Sequence, residues 1–519
     1  MKKIIALLLV LITAASSTIF ANAQESTIEV PQIRITTANG NGCTLEKADG
    51  YVDATVSIKD TDGSLLEDSA VFKVRGNSTA LAGIHKKAFT FKFAKKKDVL
   101  GMGKGKKWAL LANTFDPTLM RNYIAFDLAQ KLGIEYTSNQ KVVELWVDNS
   151  FRGCYLLLEP VQAGSDRVDI DTDSNEGKKD FMVEYEYSRD ESDVTYINST
   201  GYRFAISEPD EPTDEQTAYI KSVMDGILTA LRSKDRAAIE SKLDMASFVK
   251  FYVLNEYIKT FDFGFSSVFY YYKDGKLYAG PPWDYDISSG NTNTEFSANG
   301  AAAYSPEDLY INNKNLYNLL MKCDWFVDMT KKGFADNYRL LTNIYSEGGV
   351  MDKFLADYKN VINRNYSDAG WKVGRYWINI QKYPLPTYQE NVDYLRNWLK
   401  LRAEWIADYC GYTIPSEPVT EQPTETQTAT ATETQTETTT TAPASTASEF
   451  TELKYNLGDV NLDNSVNVKD AAELQKHLAD LVKFSELQLS LADTTRDGSV
   501  NIKDATAIQK FAAKIIEKF

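Results

Sequence analysis

Residues Lys86–Phe93, KKAFTFKF, decide how the first part of the chain folds. The phenylalanines alternate with Thr90 and Lys92, and this period of two is typical of a half-buried β-strand. The preceding stretch Arg75–Thr79, RGNST, combines glycine with small polar residues and indicates a turn. Alternation of this kind recurs throughout residues 30–110, which we therefore expect to consist mainly of strands.

Helical patterns replace strand patterns further along the chain. Apolar residues at helical spacing predict a helix over Pro117–Leu132, and another alternating stretch predicts a hairpin over Val142–Leu158. Residues 213–259 and much of 305–410 again show helical spacing. Strands followed by helices predict one α+β domain over residues 26–412.

Composition argues against several classes of function. With 519 residues the chain is too long for one domain, and its net charge of -15 argues against general nucleic-acid binding. The only two histidines, His85 and His477, are far apart, which argues against a Ser-His-Asp triad or a histidine-rich zinc site. Any chemistry is then expected to rely on carboxylates, lysines, backbone groups and metal ions.

The first 23 residues have the organisation of an export signal. Two lysines precede the apolar run Ile4–Ile12, and Ala21-Asn22-Ala23 fits the small-x-small rule for cleavage. An uncleaved membrane anchor is the alternative. No other stretch is long enough to span a bilayer, so we expect a secreted, extracellular protein without a membrane span in its mature form.

Four scattered cysteines remain after cleavage: Cys43, Cys154, Cys323 and Cys410. Their spacing does not correspond to a metal site. They are compatible with one or two disulfides or with buried thiols, and the sequence leaves any pairing open.

A biased segment, residues 413–450, separates the α+β region from the C-terminus. Between Pro415 and Ser448 it consists almost entirely of Thr, Glu, Gln, Ala, Ser and Pro, without Lys, Arg or aromatic residues. This composition buries too little apolar surface to fold. We therefore expect a disordered linker that lets the regions on either side move independently.

An internal repeat marks the tail, residues 455–519. Gly458–Asp470 aligns with Ala492–Asp504 at an offset of 34 residues, and an apolar helical pattern follows each copy. Each copy spaces oxygen-bearing residues as an EF-hand loop does around Ca²⁺, although a pair of Asx-rich turns is the alternative. The predicted ligands are Asp459, Asn461, Asp463, Ser465, Asn467 and Asp470 in the first loop and Asp493, Thr495, Asp497, Ser499, Asn501 and Asp504 in the second.

The duplicated segment resembles a type I dockerin, the calcium module that docks onto cohesin domains of a cellulosome scaffold. The resemblance implies a small all-α domain over residues 455–519 with a cohesin as its partner. It also implies that loop positions 10 and 11 help to select the cohesin. These positions are Val468 and Lys469 in the first copy and Ile502 and Lys503 in the second, and their near-identity would permit two binding orientations.

Paired carboxylates stand out in the second half of the α+β region. Asp284 and Asp286 are two residues apart, so both face the same side of an extended chain. Like charges held together favour a cation between them, and Mg²⁺ with nucleotide phosphates is the usual partner. Asp262, 22 residues before Asp284, could fold back beside the pair. An exposed acidic turn is the alternative.

Two basic patterns are candidates for holding phosphate. The turn Arg75–Thr79 and the lysines that follow it, Lys87 and Lys92, can bind an anion. The pattern alone favours the alternative, an ordinary turn beside a solvated strand face. Arg121 lies at the expected start of a helix, where it can hold a phosphate or pair with a structural carboxylate.

Together these motifs resemble the spore-coat protein H (CotH) kinase-like family. The resemblance covers about residues 30–300 and extends over the helices to residue 412. It is carried by Arg75–Thr79 with its lysine strand, Asp116-Pro117, Arg121-Asn122, Gly153–Glu159, Asp262 and Trp283–Asp286. It implies a divergent, two-lobed protein-kinase-like fold that transfers the γ-phosphate of ATP to a protein hydroxyl.

The same resemblance assigns roles to individual residues. Asp262 would orient the acceptor hydroxyl, and Asp284 with Asp286 would hold Mg²⁺. The groups that would contact the nucleotide are Lys92 or else Lys87, Arg75, Arg121 and, near its edge, Glu159. Ser267 stands where a standard kinase has the asparagine of its second metal contact.

The sequence therefore predicts a cellulosome-associated CotH-like protein, and the most concrete function is Mg²⁺-dependent phosphotransfer to a protein acceptor. Two other classes stay open. One is a non-catalytic structural or carbohydrate-adhesion component, and the other is an O-glycosyl hydrolase with paired carboxylates. The dockerin-like tail favours a role in plant polysaccharide breakdown in each case.

Calcium is expected to fold the tail, because a domain of this size buries little apolar surface without its ions. Circular dichroism of the isolated fragment 450–519 should show helix content that rises with Ca²⁺ and falls with chelator. Asp459→Ala should weaken calcium binding more than Thr495→Ala, since it removes a charged ligand. Helix content that is indifferent to calcium contradicts the prediction.

Overall fold

A computed structural model describes residues 29–413, apart from 173–179, 188, 190, 193, 296, 374–377, 379 and 383, and residues 457–513 and 516, apart from 462–465, 480–481, 483, 485 and 496–499. The chain divides into two compact units between residues 419 and 420. The predicted export signal, 1–23, and nearly all of the predicted linker, 413–450, lie outside the described residues.

Seven strands of the large unit close into a barrel in the order β1-β2-β3-β4-β5-β7-β6. These strands, β1 to β7, are Gln32–Thr37, Val52–Lys59, Leu65–Arg75, Ala88–Asp98, Lys104–Leu111, Gln140–Val147 and Ser150–Leu158. Neighbouring strands are antiparallel except β1 and β6, which run parallel and close the barrel. Each of these seven strands therefore has a partner on both sides.

Alternation along the strands directs one set of side chains into the barrel. Phe89, Phe91 and Phe93 of β4 are all buried there, as the sequence pattern predicts. Phe72 of β3 stacks on Phe89 with ring centroids 4.8 Å apart, and Trp108 of β5 is fully buried. Because large side chains fill its interior, the barrel is a packed core rather than a channel.

A second sheet and the long helices form the rest of the large unit. The strands of the second sheet, β8 to β12, are Phe181–Tyr185, Tyr196–Ser199, Tyr202–Glu208, Val268–Lys273 and Lys276–Ala279. Their spatial order is β12-β11-β8-β10-β9. The helices are Arg121–Lys131, Asp214–Ser233, Arg236–Glu240, Met245–Ile258, Ala298–Tyr304, Tyr317–Leu320, Asp324–Asn343, Val350–Ser367 and Tyr388–Cys410. Helix Met245–Ile258 is buried over most of its length and is the central helix of this part.

The prediction of a divergent, two-lobed kinase-like fold is wrong. The first part of the chain forms a closed barrel, and the second sheet shares one continuous apolar core with the helices. The decisive contact is long-range, because Gln32 of β1 pairs with Glu144 of β6. Alternation identifies a segment as a strand, but it does not identify the partner of that strand.

Two local predictions are confirmed. The helix expected over Pro117–Leu132 is present at Arg121–Lys131, and the expected hairpin consists of β6 and β7. Its turn residues Asp148 and Asn149 have φ values of 46° and 64°, as a two-residue hairpin turn requires.

The structure also answers one question that the sequence leaves open. The thiols of Cys43, Cys154, Cys323 and Cys410 are all free, so the disulfide alternative is not the one found. Within the described ranges, no helix combines the length and apolarity that crossing a bilayer requires.

The described residues of the C-terminal unit include three helices, Val468–Leu478, Glu486–Ala492 and Ile502–Ala512. Among its described residues, the apolar core is a small cluster to which the first helix contributes Leu474 and the third contributes Ile508. A core of this size supplies little stability by itself, which agrees with the expected need for bound ions.

A buried ion pair joins the last helix of the large unit to the central one. Glu256 and Arg402 have fully buried side chains, and their charged atoms are 2.8 Å apart. The Glu256 carboxylate also accepts hydrogen bonds from the backbone N–H groups of Tyr310, at 2.7 Å, and Ile311, at 2.9 Å. Three distant segments are therefore held together around one buried charge.

Removing the arginine of this pair should destabilise the large unit strongly. Arg402→Ala should lower the free energy of unfolding by about 3–5 kcal/mol, because Glu256 would stay buried without its partner. Urea unfolding followed by tryptophan fluorescence measures this unit alone, since all eight tryptophans lie between 108 and 405. Arg396→Ala is the matched control, because its pair with Asp352 is partly exposed and should contribute about 1 kcal/mol or less. Equal losses in the two variants would contradict the prediction.

Candidate functional site

A polar cavity of about 400 Å³ lies at one end of the barrel, next to the second sheet. Its wall is built from the turn after β3, the start of β4, the end of β5, the chain leading into β11 and the loop after β12. Antiparallel order brings the end of β3, the start of β4 and the end of β5 to the same rim of the barrel. A cavity of this volume accommodates a small ligand.

The first carboxylate of the cavity, Asp262, follows the central helix. Lys259 ends that helix in a left-handed conformation and turns the chain towards the short 3₁₀ helix Phe261–Gly264, which contains Asp262. The N–H of Phe261 donates to the Ile287 carbonyl at 3.0 Å, and the Tyr310 hydroxyl donates to the Phe261 carbonyl at 2.8 Å. These bonds fix the position from which Asp262 faces the cavity.

Two more carboxylates come from the loop after β12. Asp284 and Asp286 flank Tyr285, whose N–H donates to the Asn122 side-chain oxygen at 2.8 Å. The Tyr285 ring is buried and packs edge-on against Phe126, with centroids 5.8 Å apart. With Tyr285 held in the core, the aspartates on both sides of it line the cavity. The structure thus brings Asp262 together with the Asp284 pair.

The carboxyl groups of the cavity all have raised pKa values, and burial is the largest cause for each. The pKa of Asp262 rises to about 7, since Asp284 adds to the effect of burial. Asp284 and Asp262 together raise the pKa of Asp286 further, and burial brings that of Glu184 to about 7. Their charged forms are therefore disfavoured in the protein alone, and a bound cation would favour them.

The described residues do not form a complete protein cage for a metal ion. In the part of the chain that the structure describes, no three Asp, Glu, His or Cys side chains are arranged to enclose a metal ion. Any cation in the cavity must then complete its coordination shell with water or ligand oxygens.

The cavity also contains a cationic group, Arg75, at the end of β3. Its guanidinium lies over the Trp283 ring at 4.9 Å from the centroid, and its Nη1 atom is buried without a hydrogen-bond partner. Burial lowers the pKa of Arg75 to about 10, against the opposing attraction of Asp284. Gly76 follows with φ at 88°, where a side chain would collide with the Thr79 hydroxyl. The turn therefore places the N–H donor of the Arg75 Nη1 atom beside a backbone segment that a ligand can approach closely.

Sequence reasoning missed two side chains of the cavity, Glu184 on β8 and Arg189 in the loop after it. The Glu184 carboxylate accepts the Ser267 N–H at 2.7 Å and also pairs with Arg189 at 3.4 Å. The Ser267 hydroxyl in turn donates to Asp284 at 3.4 Å. The only sequence signal for Glu184 is a charged residue within an otherwise apolar strand pattern.

The lysines expected to contact phosphate do not line the cavity. Lys87 pairs with Glu46 at 2.8 Å and donates to the carbonyl groups of Ala80 and Leu81 at 3.1 and 3.0 Å. Lys92 is exposed on the outer face of β4. The structure therefore does not bring either lysine together with the carboxylates.

Arg121 and Glu159, also expected near the nucleotide, lie outside the cavity wall. Arg121 forms a buried ion pair with Asp116 at 2.6 Å, which is the structural alternative that the sequence left open. Glu159 forms an ion pair with Arg167 and accepts the Asn139 N–H at 3.0 Å. Both residues hold loops of the large unit in place.

In the C-terminal unit the duplicated loops have matching hydrogen bonds. The Asp470 carboxylate accepts the N–H groups of Asn461 and Asn467 at 3.1 and 2.8 Å. At equivalent positions, Asp504 accepts those of Thr495 and Asn501, each at 2.9 Å. The buried Asp459 and the half-buried Asp493 begin the two loops. The other predicted ligands, Asp463, Ser465, Asp497 and Ser499, lie outside the described residues.

Two family profiles match the sequence. The profile described as CotH kinase protein matches residues 72–406 and so contains the whole cavity wall. The profile described as Dockerin type I domain matches residues 457–511. No curated protein matches the chain.

Neutralising a cavity carboxylate should stabilise the protein when no cation is available. Asp262→Asn should raise the free energy of unfolding by about 1 kcal/mol or more at pH 8 in chelator, because the folded state disfavours the ionised carboxylate. Urea unfolding followed by tryptophan fluorescence measures the change. Asp328→Asn, at an exposed helix position, is the control and should change stability by less than about 0.5 kcal/mol. Destabilisation by Asp262→Asn would show that the carboxylate has a structural role instead.

Proposed function

The chain belongs to the CotH kinase protein family, and from this premise we propose that its cavity transfers the γ-phosphate of ATP to a hydroxyl group of a protein acceptor. The observation that carries the proposal is the convergence of Asp262, Asp284 and Asp286 with Arg75 in one cavity. These residues come from three separate segments, so local sequence does not force them together. Phosphoryl transfer requires such a set, because its catalysis consists mainly of positioning and charge stabilisation.

Asp284 and Asp286 would hold the Mg²⁺ ion. Magnesium is usually bound by one or two carboxylates and by substrate phosphates and water, rather than by a cage of protein side chains. The cavity is compatible with this mode of binding. Its carboxyl groups are buried and have raised pKa values, and among the described residues no three acidic, histidine or cysteine side chains enclose a metal ion. When bound, the ion would neutralise charge on the phosphates.

Arg75 would bind the phosphates of ATP. Its buried Nη1 atom has no partner within the protein, and a buried donor without a partner is costly. Its guanidinium also contacts the face of the Trp283 ring, which helps to hold it at the cavity wall. The turn at Gly76 lets the backbone approach an anion closely, as glycine turns that cradle phosphates do.

Asp262 would accept the proton of the acceptor hydroxyl. As the hydroxyl oxygen forms its bond to the γ-phosphorus, the bond from phosphorus to the bridging oxygen breaks. The electron pair of that bond leaves with ADP, and the hydroxyl proton passes to the carboxylate. Burial, the largest cause, raises the pKa of Asp262, and a carboxylate with a raised pKa is a better proton acceptor than an exposed one.

The matched dockerin implies binding to a cohesin and suggests cellulosome association outside the cell. Val468 and Ile502, at loop position 10 of the two copies, are 65% and 58% exposed, which supports a docking face around them. We further propose that residues 1–23 direct export and that 413–450 link the domains. On this proposal the tail binds Ca²⁺ through both loops, and the protein serves plant polysaccharide breakdown.

Two substitutions should separate metal binding from chemistry. Asp284→Asn should weaken Mg²⁺-dependent ATP binding at least about tenfold, whereas Asp262→Asn should keep ATP binding and lose transfer by about 100-fold or more. Calorimetry with Mg²⁺ and ATP measures binding, and phosphate incorporation into a dephosphorylated protein mixture measures transfer. Asp328→Asn is the matched control and should change neither quantity.

Two outcomes would overturn the proposed function. A full-length protein that binds neither Mg²⁺ nor ATP would favour a structural or adhesion role. Release of sugars from polysaccharide without ATP, lost in Asp262→Asn, would favour hydrolysis by the paired carboxylates.

A further inference from the structure

The outer face of β3, β4 and β5 carries three lysines, Lys73, Lys92 and Lys107, which we name the lysine strip. The aromatic residues next to them in sequence point into the barrel, so the lysines face outward. Lys92 is exposed, and Lys73 and Lys107 are half-buried. The strip therefore forms part of the outer surface of the barrel.

Strand register connects the lysine strip to the cavity. Lys92 on β4 pairs directly with Lys107 on β5 and with Val71 on β3. Lys73 lies midway between Val71 and Arg75 on β3, and Arg75 lines the cavity. Four strand residues span about 13 Å, so the strip extends about that far from the cavity wall.

The lysine strip brings three positive charges together without compensating ion pairs. Among the described residues, the ion pairs do not include Lys73, Lys92 or Lys107. Burial lowers the pKa of Lys107, and repulsion from Arg75, Lys73 and Lys92 lowers it further, against the opposing effect of Asp210. Like charges directly opposite each other on neighbouring strands are destabilising. An anionic partner would remove this cost.

We propose that the lysine strip docks an acidic peptide segment whose serine or threonine hydroxyl then reaches the cavity. The protein therefore prefers acidic acceptors, and the strip selects them. This inference rests on the proposed phosphotransfer and adds the chemical class of its acceptor.

The geometry favours a peptide over the nucleotide as the occupant of the strip. None of the three lysines contributes to the cavity wall, where Arg75 already offers a donor for phosphate. The strip runs along the strand direction for about 13 Å, which is the length of about four extended residues. An extended chain with acidic side chains therefore matches both its length and its charge.

The protein itself contains a segment with this chemistry. Residues 415–448 are rich in threonine, carry glutamates at positions 417, 421, 425, 433 and 437, and have no lysine or arginine. A synthetic peptide with the sequence of residues 421–441 is therefore a suitable probe. In the test protein all five glutamates are changed to glutamine, so that this segment does not compete with the added peptide.

Fluorescence anisotropy of the labelled peptide measures docking on the full-length test protein. At low ionic strength, the acidic peptide should bind at least about tenfold more tightly than the same peptide with glutamines in place of its glutamates. Lys73→Glu, Lys92→Glu and Lys107→Glu combined should remove this preference. The control combines Lys242→Glu, Lys353→Glu and Lys359→Glu, which change the net charge equally at exposed positions outside the strip, and it should keep the preference.

Transfer assays with Mg²⁺ and ATP complete the test. The strip variant should raise KM for the acidic peptide at least about tenfold and leave KM for ATP unchanged. Equal binding of the two peptides, or loss of preference in the control as well, would overturn the docking inference. A preserved binding preference without any phosphate transfer would overturn the proposed function and leave the docking surface standing.

Discussion

The parallel pairing of β1 with β6 is the constraint on which the large unit depends. This pairing closes seven strands into a barrel and thereby fixes the positions along the barrel axis at which each strand begins and ends. The end of β3 and the start of β4 meet at one rim, and the cavity lies at that rim. A shift of one residue in β4 would turn Phe91 outward and Lys92 inward, so core packing and the charge of the outer surface depend on the same register.

The sequence patterns predicted those structural features that depend only on residues close to one another in the chain. The alternation around Phe91 predicted a strand and its buried face, and the glycine and small polar residues of Arg75–Thr79 predicted a turn after β3. The spacing of Asp284 and Asp286 predicted that both carboxylates face one side of an extended chain. Both line the cavity, and Tyr285 between them packs into the core. Each of these inferences needs only a few consecutive residues and a known backbone period.

Long-range contacts account for what sequence patterns did not predict. The second partner of β1, which closes the barrel, is β6, more than 100 residues further along the chain. Glu184 enters the cavity from β8, a strand that the sequence patterns did not predict. Lys87 occupies a suitable strand, but its ammonium group is bound by Glu46, far away in sequence. A linear pattern shows which face a side chain occupies, whereas its partner depends on how the strands assemble.

The ion pair between Glu256 and Arg402 has a consequence for synthesis of the chain. Translation produces Glu256 well before the last helix, so the nascent core lacks the group that compensates this charge. The central helix gains its buried arginine partner only after residue 402 has left the ribosome and the last helix has docked. The large unit therefore completes its fold late in synthesis, and the calcium-binding repeat, which follows it in the chain, folds as a separate event.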